Sequence, residues 1–185
     1  MKITRKSIYN LLVILIILAF FVTPLGDQSK ILLNRIFASS PYVIEEVQRK
    51  PISDFDWKLK DDDWNFFNFE VSKGNVIFVH FWASWQIPSI AELHSIQKLY
   101  DNYKEQVDFY IITNEEKEPV ETFMKEKKYT FPVTYLIIGE KMPFNAEKIP
   151  STYILDKEGD IAVEKKGIAN WNSNTVKELL DNLIE

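Results

Sequence analysis

The chain has 185 residues, with 27 acidic side chains against 22 basic ones, and its net charge is -5 near neutral pH. This balance argues against nucleic-acid binding, because neutralising phosphates takes a dense surface of lysine and arginine. Apolar residues make up 46% of the chain, which is typical of a globular protein. The length fits one domain plus an appendage better than two full domains.

The appendage is an apolar segment near the start of the chain. Residues 8–25 (IYNLLVILIILAFFVTPL) carry no charge, and as a helix they nearly cover the hydrocarbon core of a bilayer. Three basic residues lie within residues 1–7, which predicts a cytoplasmic N-terminus and export of everything after the apolar segment. A cleaved signal peptide is the alternative, but its apolar stretch is usually shorter and no convincing A-x-A site follows Phe21. We therefore expect a single-pass signal anchor.

The chain contains no cysteine. Exported compartments permit disulfides, so a reducing environment does not explain the absence of cysteine. Thiolate nucleophiles, cysteine-bound zinc and dithiol mechanisms within this chain are all excluded.

The residues after the apolar segment divide into a connector and a domain. Residues 26–51 are predicted to be a juxtamembrane connector, in which KILLNRIF has the apolar spacing of a short interfacial helix and ASSP ends it. Residues 52–185 are predicted to be globular, beginning with the strands DFDWKLK and FFNFEV around a DDDW turn. The three aspartates of that turn lack the spacing of an EF-hand calcium loop, so we interpret the turn as solvated.

The rest of the domain alternates strands and helices. NVIFVHFW is a continuous apolar run typical of a central strand, and a helix is predicted to follow from Pro88. VDFYIIT, STYILD and IAVEKKGIA predict further strands, FPVTYLI is ambiguous but extended, and EPVETFMKEKKY and NSNTVKELLDNLIE predict helices. This order favours an α/β fold, with a mixed central sheet and helices on both faces.

Two segments carry a resemblance to a known family. FWASWQIPS, residues 81–89, and KIPSTYILDKEGDI, residues 148–161, resemble the membrane-anchored thioredoxin-like proteins of bacterial envelopes, the TlpA/ResA type of thiol-disulfide oxidoreductase. In that family F-W-A-[ST]-W precedes C-x-x-C at the start of a helix, and a cis proline in [IV]-P-[ST]-T lies against the active site. The resemblance covers about residues 54–185 and implies a thioredoxin-like fold.

The resemblance does not imply thiol-disulfide exchange by this chain. Gln86 and Ser89 stand at the positions of the two cysteines, and neither an amide nor a hydroxyl becomes a thiolate equivalent at a helix N-terminus. Pro150 matches the cis proline. Glu92 matches the acidic position, where a carboxylate can manage protons. Because no thiol remains for it to serve, we interpret Glu92 as an ordinary helix charge.

Hydrolytic and metal chemistry are weaker alternatives. Ser89 would need a base, His80 or His94, and the sequence has no G-x-S-x-G elbow. We interpret His80 as a packed strand residue, Ser89 as a hydrogen-bonding residue of the first helical turn, and His94 as pointing elsewhere. Two histidines without cysteine make a poor ligand set, so no metal or other cofactor is expected.

The resemblance also implies a place for an extended peptide, which would pair like an added strand with the residue before the cis proline, here Ile149. We expect a redox-inactive module on the periplasmic side of a bacterial inner membrane that binds an envelope polypeptide. One alternative is thiol-disulfide or peroxide chemistry with sulfur supplied by a partner, and another is a decayed paralogue without a role. Trp82 is expected in the core, and the predicted binding groove consists of Trp85, Ile87, Pro88, Ile149 and Pro150.

Overall fold

The computed structural model describes residues 5–185, so the first four residues of the predicted cytoplasmic N-terminus lie outside the described residues. Helix α1 spans Arg5–Val22 and helix α2 spans Pro24–Phe37. Within the described part of the chain, α1 is the one helix long and apolar enough to cross a membrane, and none of its residues is buried against the protein. The predicted interfacial helix is therefore longer than KILLNRIF and begins directly after α1.

A sharp bend separates these two helices. The Thr23 hydroxyl donates to the Ala19 carbonyl at 2.7 Å and accepts from the Gly26 N–H at 3.3 Å, which caps α2. A Cβ atom at Gly26 would lie only 1.9 Å from the carbonyl oxygen of Phe20. In one continuous helix, residues six apart are separated by about 9 Å along the axis. The close approach shows that α2 leaves α1 at an angle.

The domain is built on a seven-stranded mixed sheet in the order β2-β1-β5-β4-β3-β6-β7. Strands β3, β4 and β5 are parallel neighbours, and every other pairing is antiparallel. The strands are β1 Lys58–Lys60, β2 Phe66–Asn68, β3 Val76–Phe81, β4 Val107–Thr113, β5 Val133–Leu136, β6 Ser151–Leu155 and β7 Ile161–Lys166. β2 is shorter than predicted because the Asn68 side chain accepts from the Glu70 N–H and starts a 3₁₀ turn at Phe69–Ser72. β1 is shorter at its start, where the Asp54 side chain accepts from the Asp56 N–H in a local turn.

Helices cover one face of the sheet. The helices α3 Ile87–Tyr103, α4 Lys117–Lys127 and α5 Asn174–Ile184 bury their apolar residues in one core layer with Phe78 and Trp82. Helix α2 packs on the outside of α3.

The opposite face differs from the prediction of helices on both sides. Among the described residues, its core layer contains side chains of the strands and of the connecting segments, including Ile52, Phe69 and Phe144, and none from α3, α4 or α5. Phe144 belongs to the connection between β5 and β6. Pro143 lies inside that connection and opposes helix formation there, since proline disfavours helical backbone at the preceding residue.

Candidate functional site

The site lies where the parallel strands β3 and β4 both end. After β3, the Trp82 N–H donates to the Ile112 carbonyl of β4 at 3.0 Å, and the Trp82 side chain is buried as predicted. The loop that follows is held by Glu115. Its carboxylate accepts from the Ser84 N–H at 2.6 Å and from the Ser84 hydroxyl at 2.7 Å. An acidic side chain at the end of β4 thus fixes the backbone just before α3.

Gln86 and Ser89, which stand at the positions of the family's two cysteines, face each other across the start of α3. Gln86 is the N-cap residue in extended conformation, and Ser89 is the third residue of the helix. The Ser89 hydroxyl donates to the Gln86 side-chain carbonyl at 3.0 Å, and Ser89 is fully buried. The predicted role of Ser89 as a hydrogen-bonding residue of the first turn is confirmed. This arrangement keeps the placement of a dithiol pair but holds a neutral amide and a neutral hydroxyl.

Glu92 is not the ordinary helix charge that the sequence favoured. Its side chain is 1% exposed, and its Oε1 accepts from the Ala169 N–H at 2.6 Å and from the Trp171 indole N–H at 2.9 Å. Burial raises the pKa of Glu92 to about 8 against the opposing effect of these two hydrogen bonds. Glu92 is therefore a buried carboxyl group that is largely protonated at neutral pH, and it links α3 to the segment before α5.

The two histidines do not assist Ser89. His80 is fully buried in β3, and its Nδ1 shares a hydrogen bond of 2.8 Å with the Thr152 hydroxyl of β6. Burial lowers the pKa of His80 to about 3, so the ring is neutral. His94 is exposed on α3, next to Arg35 of α2 and Lys98, so it points away as expected. No Ser–His pair forms within residues 5–185.

The segment before β6 takes the predicted conformation, since the Ile149–Pro150 peptide bond is cis. Phe81 at the end of β3 pairs with Ser151, which places Pro150 beside the start of the Trp82 loop. Three hydrogen bonds secure the segment: the Ser151 hydroxyl donates to the Lys148 carbonyl, the Gly167 N–H to the Pro150 carbonyl, and the Tyr153 hydroxyl to the Asn145 carbonyl.

A small apolar cavity of about 190 Å³ opens beside Ile149. The backbone N–H and carbonyl of Ile149 have no hydrogen-bond partner among residues 5–185, although those of its neighbours in β6 are paired. An unpaired backbone unit next to an apolar cavity can accept one more extended segment together with one of its side chains. The cavity is lined by Phe81, Trp82, Ile112, Thr113, Asn114, Leu136, Met142, Ala146 and Ile149.

The structure brings only part of the predicted groove to this cavity. Ile149 lines it and Pro150 is buried beside it, whereas Trp85, Ile87 and Pro88 lie outside the cavity wall. The Trp85 side chain is 70% exposed, as expected for a residue next to the lost dithiol. Ile87 and Pro88 are half-buried in the first turn of α3.

The sequence did not predict three residues whose side chains hydrogen-bond to the site, Glu115, Thr152 and Trp171. Glu115 lies two residues after the end of β4, and parallel neighbours bring their carboxyl ends to the same edge, so its position could have been deduced from the strand order. Thr152 and Trp171 gave no such signal. Their partners, His80 and Glu92, lie more than 70 residues away along the chain.

Comparison with known proteins places this geometry in a family. The family model of the AhpC/TSA family matches residues 50–164. The sporulation thiol-disulfide oxidoreductase A of Bacillus subtilis is 32% identical over 113 residues, which cover 58% of this chain and 67% of that protein. The thiol-disulfide oxidoreductase ResA of Oceanobacillus iheyensis is 30% identical over 160 residues, covering 85% of this chain and 77% of the relative.

A solved structure agrees with these relatives. The crystal structure of StoA from Bacillus subtilis superposes with a TM-score of 0.54 at 26% identity, over 67% of this chain and 92% of StoA. The N-terminal helix is long and apolar enough to span a membrane once, and the domain that follows it is thioredoxin-like. It belongs to the AhpC/TSA family and, within it, to the ResA- and StoA-like thiol-disulfide oxidoreductases, as a member without cysteines.

Proposed function

We propose that this chain is a redox-inactive, membrane-anchored module that binds an extended polypeptide of the cell envelope. The observation that carries the proposal is the unpaired backbone of Ile149 beside the apolar cavity. An extended partner would form strand-like hydrogen bonds with Ile149 and insert one apolar side chain between Met142 and Trp82. Trp85 would add an exposed aromatic contact on the far side of the Gln86 loop.

The proposal excludes thiol chemistry by this chain alone. Disulfide exchange requires a thiolate that attacks one sulfur and a second sulfur that leaves, and Gln86 and Ser89 supply neither. We further propose that the domain lies on the exported side of the inner membrane, because Arg5 and Lys6 precede the apolar part of α1 and favour a cytoplasmic N-terminus.

Site-specific photocrosslinking in intact cells tests the binding site. A photoreactive phenylalanine analogue at Trp85 is expected to capture a polypeptide, whereas the same analogue at Tyr42, which is equally 70% exposed, is not. Met142→Asp places a charge at the rim of the cavity and is expected to abolish capture from position 85. Ile138→Asp is the matched control, because Ile138 lies in the same connection, is fully exposed and does not line the cavity. Capture that survives Met142→Asp contradicts the proposed groove.

An enzyme assay tests the redox part separately. The purified chain with dithiothreitol is expected to reduce insulin no faster than dithiothreitol alone. Catalysis above that rate would favour the alternative in which a thiol from a partner or reductant works through this site.

A further inference from the structure

Helix α2 has two opposite faces that bury very different amounts of surface. One face packs on α3, where Ile31 is buried and Asn34 and Ala38 are half-buried. The other face lies open, although it is made of large apolar residues, of which Phe37 is 81% exposed. The exposed residues are Leu32, Leu33, Ile36 and Phe37, and we call them the outer face of α2.

The outer face forms one contiguous stripe. At about 100° per residue, its four side chains span an arc of about 140°, centred nearly opposite Ile31. A core-facing helix in a soluble protein typically shows an apolar stripe of about that width. Here the stripe faces away from the domain, and the described residues leave it uncovered. A patch of this kind marks an interaction surface.

The position of α2 identifies what covers the stripe. Helix α2 begins one residue after α1, the membrane-spanning helix, and the bend at Thr23 turns it away from the α1 axis. The outer face therefore starts at the end of a lipid-embedded helix and extends sideways. A helix that leaves a bilayer at an angle, with a broad apolar face, is typical of an interfacial helix.

A basic side chain borders the outer face at one edge. Lys30 lies next to the edge marked by Phe37, and its ammonium group lies 5.6 Å from the ring centres of Phe20 and Phe21 of α1. Lys30 also forms an ion pair of 3.0 Å with Asp27, one turn earlier in α2. Arg35 lies toward the docked face and lines a cavity of about 210 Å³ with His94 and Lys98 of α3. A long basic side chain at the edge of an apolar stripe, such as Lys30, can extend toward anionic headgroups while its stem stays on apolar surface.

We propose that the outer face of α2 lies in the headgroup region of the membrane while its inner face stays docked on α3. The inference does not depend on the proposed peptide-binding function. Because α3 carries Gln86 and Ser89 at its start, this docking fixes the orientation of the site relative to the bilayer. The thioredoxin-like domain would then be mounted on the membrane surface, not suspended from a mobile tether.

The cysteine-free sequence allows a direct test with single labels. Ile36→Cys and Val71→Cys each introduce one thiol at positions of similar exposure, 65% and 71%, and Val71 follows Phe69, which packs on the sheet face away from α3. Each full-length variant is labelled with an environment-sensitive fluorophore and reconstituted into vesicles of phosphatidylcholine and phosphatidylglycerol, with or without brominated acyl chains. The label at position 36 is expected to emit at shorter wavelength and to be quenched several-fold more by brominated lipid than the label at 71.

Two results would overturn the proposal. Quenching at position 36 as weak as that of a label in water would show that α2 does not lie in the headgroup region. In dilute detergent, the label at position 36 would keep its short-wavelength emission if a second copy of the chain covered the outer face. Spin labels at that position would then show dipolar coupling. Circular dichroism of both variants establishes that each label reports on a folded chain.

Discussion

The site has an outer part at the start of α3 and an inner part around Glu92, and the two parts differ in the hydrogen bonds that hold them. The outer part consists of Gln86 and Ser89, two neutral side chains that hydrogen-bond each other and no other side chain among residues 5–185. The inner part, Glu92 with Ala169 and Trp171, is a buried carboxyl group bound by two donors from a distant segment. Reactive groups can therefore be lost from the outer part without disturbing the link that positions α3. The shape of the site and its chemistry depend on different residues.

Truncating the inner part should have the largest effect. Glu92→Ala leaves the Ala169 N–H and the Trp171 indole N–H buried without an acceptor, and we expect a loss of about 3 kcal/mol in the free energy of unfolding. Gln86→Ala should cost less, about 1 kcal/mol, because it leaves a single buried group, the Ser89 hydroxyl, without its acceptor. Urea denaturation of the full chain in detergent, followed by tryptophan fluorescence, measures both.

Glu105→Ala is the control for removing a carboxylate near α3, because Glu105 is exposed just beyond the end of that helix. If Glu92→Ala costs no more than Glu105→Ala, the inner part does not hold α3, and the contrast between the two parts is wrong.

The protonation of Glu92 gives the next largest effect. Its folded-state pKa of about 8 lies above its unfolded value, so its contribution to stability is complete below the unfolded pKa and is lost as pH rises toward 8. His80 acts in the opposite direction, because its folded pKa of about 3 lies below its ordinary value of 6.5 and stability falls as pH drops through that range.

The titrations separate above about pH 7.5, one unit above the ordinary pKa of histidine. Between about pH 7.5 and 8.5 the rings of His80 and His94 are largely neutral in both states, because the folded pKa of each lies below 6.5. The slope of stability that Glu92 contributes there is at most about 1.4 kcal/mol per pH unit. Wild-type stability should fall across this window, and the profile of Glu92→Gln should be flatter, because the amide oxygen can still accept both donors. Parallel profiles for the two proteins would show that Glu92 is ionised in the folded state.

The sequence predicted the outer part of the site better than the inner part for a physical reason. The helix start at Gln86 and the strand before it depend on local patterns, a proline in a first turn and a buried apolar run. The cis bond at Pro150 was implied by the resemblance of its segment to the family. The burial of Glu92 depends on Trp171, which lies 79 residues away along the chain and contacts Glu92 through the tertiary fold. Helical spacing alone cannot tell whether a carboxylate faces water or a distant donor.

Helical spacing also did not show which face of α2 would be buried. The apolar spacing of KILLNRIF predicted a helix, but not that Ile31 would dock on α3 while Ile36 stays exposed. The alternating pattern likewise predicted helices on both faces of the sheet. The connection with Pro143 closes one face with Phe144 instead.

Glu115 connects the outer part to the sheet, and its removal should have an intermediate effect. Glu115→Ala deprives the Ser84 N–H and hydroxyl of their acceptor, and we expect a loss of about 1 to 2 kcal/mol in the free energy of unfolding. It should also weaken photocapture from position 85, because the loop carrying Trp85 loses its anchor. Glu116→Ala removes the same charge from an exposed neighbour and should do neither. Equal effects of the two substitutions would indicate a charge effect, not an anchored loop.

Replacing both residues of the outer part by cysteine should disturb stability least and yet change chemistry most. In the reduced state, Gln86→Cys with Ser89→Cys is expected to alter the free energy of unfolding by less than about 1 kcal/mol, since neither residue anchors another element. The Ser89 hydroxyl lies 3.0 Å from the Gln86 side chain, so these two positions already bring their side chains together. Two cysteines there meet the short Cα separation that a disulfide demands.

The thiol at position 86 would lie at the N-terminus of α3, where the helix dipole and free N–H groups stabilise a thiolate. We therefore expect an intramolecular disulfide on mild oxidation, a pKa for the first thiol below the ordinary value of about 8.5, and measurable insulin reduction. Mass mapping of the oxidised protein and thiolate absorbance against pH provide the measurements. The single variants Gln86→Cys and Ser89→Cys are the controls, since neither can close the bond. Cysteines that stay reduced, or a first thiol that titrates like a free one, would mean that the start of α3 has been remodelled, and the peptide-groove proposal would lose its main support.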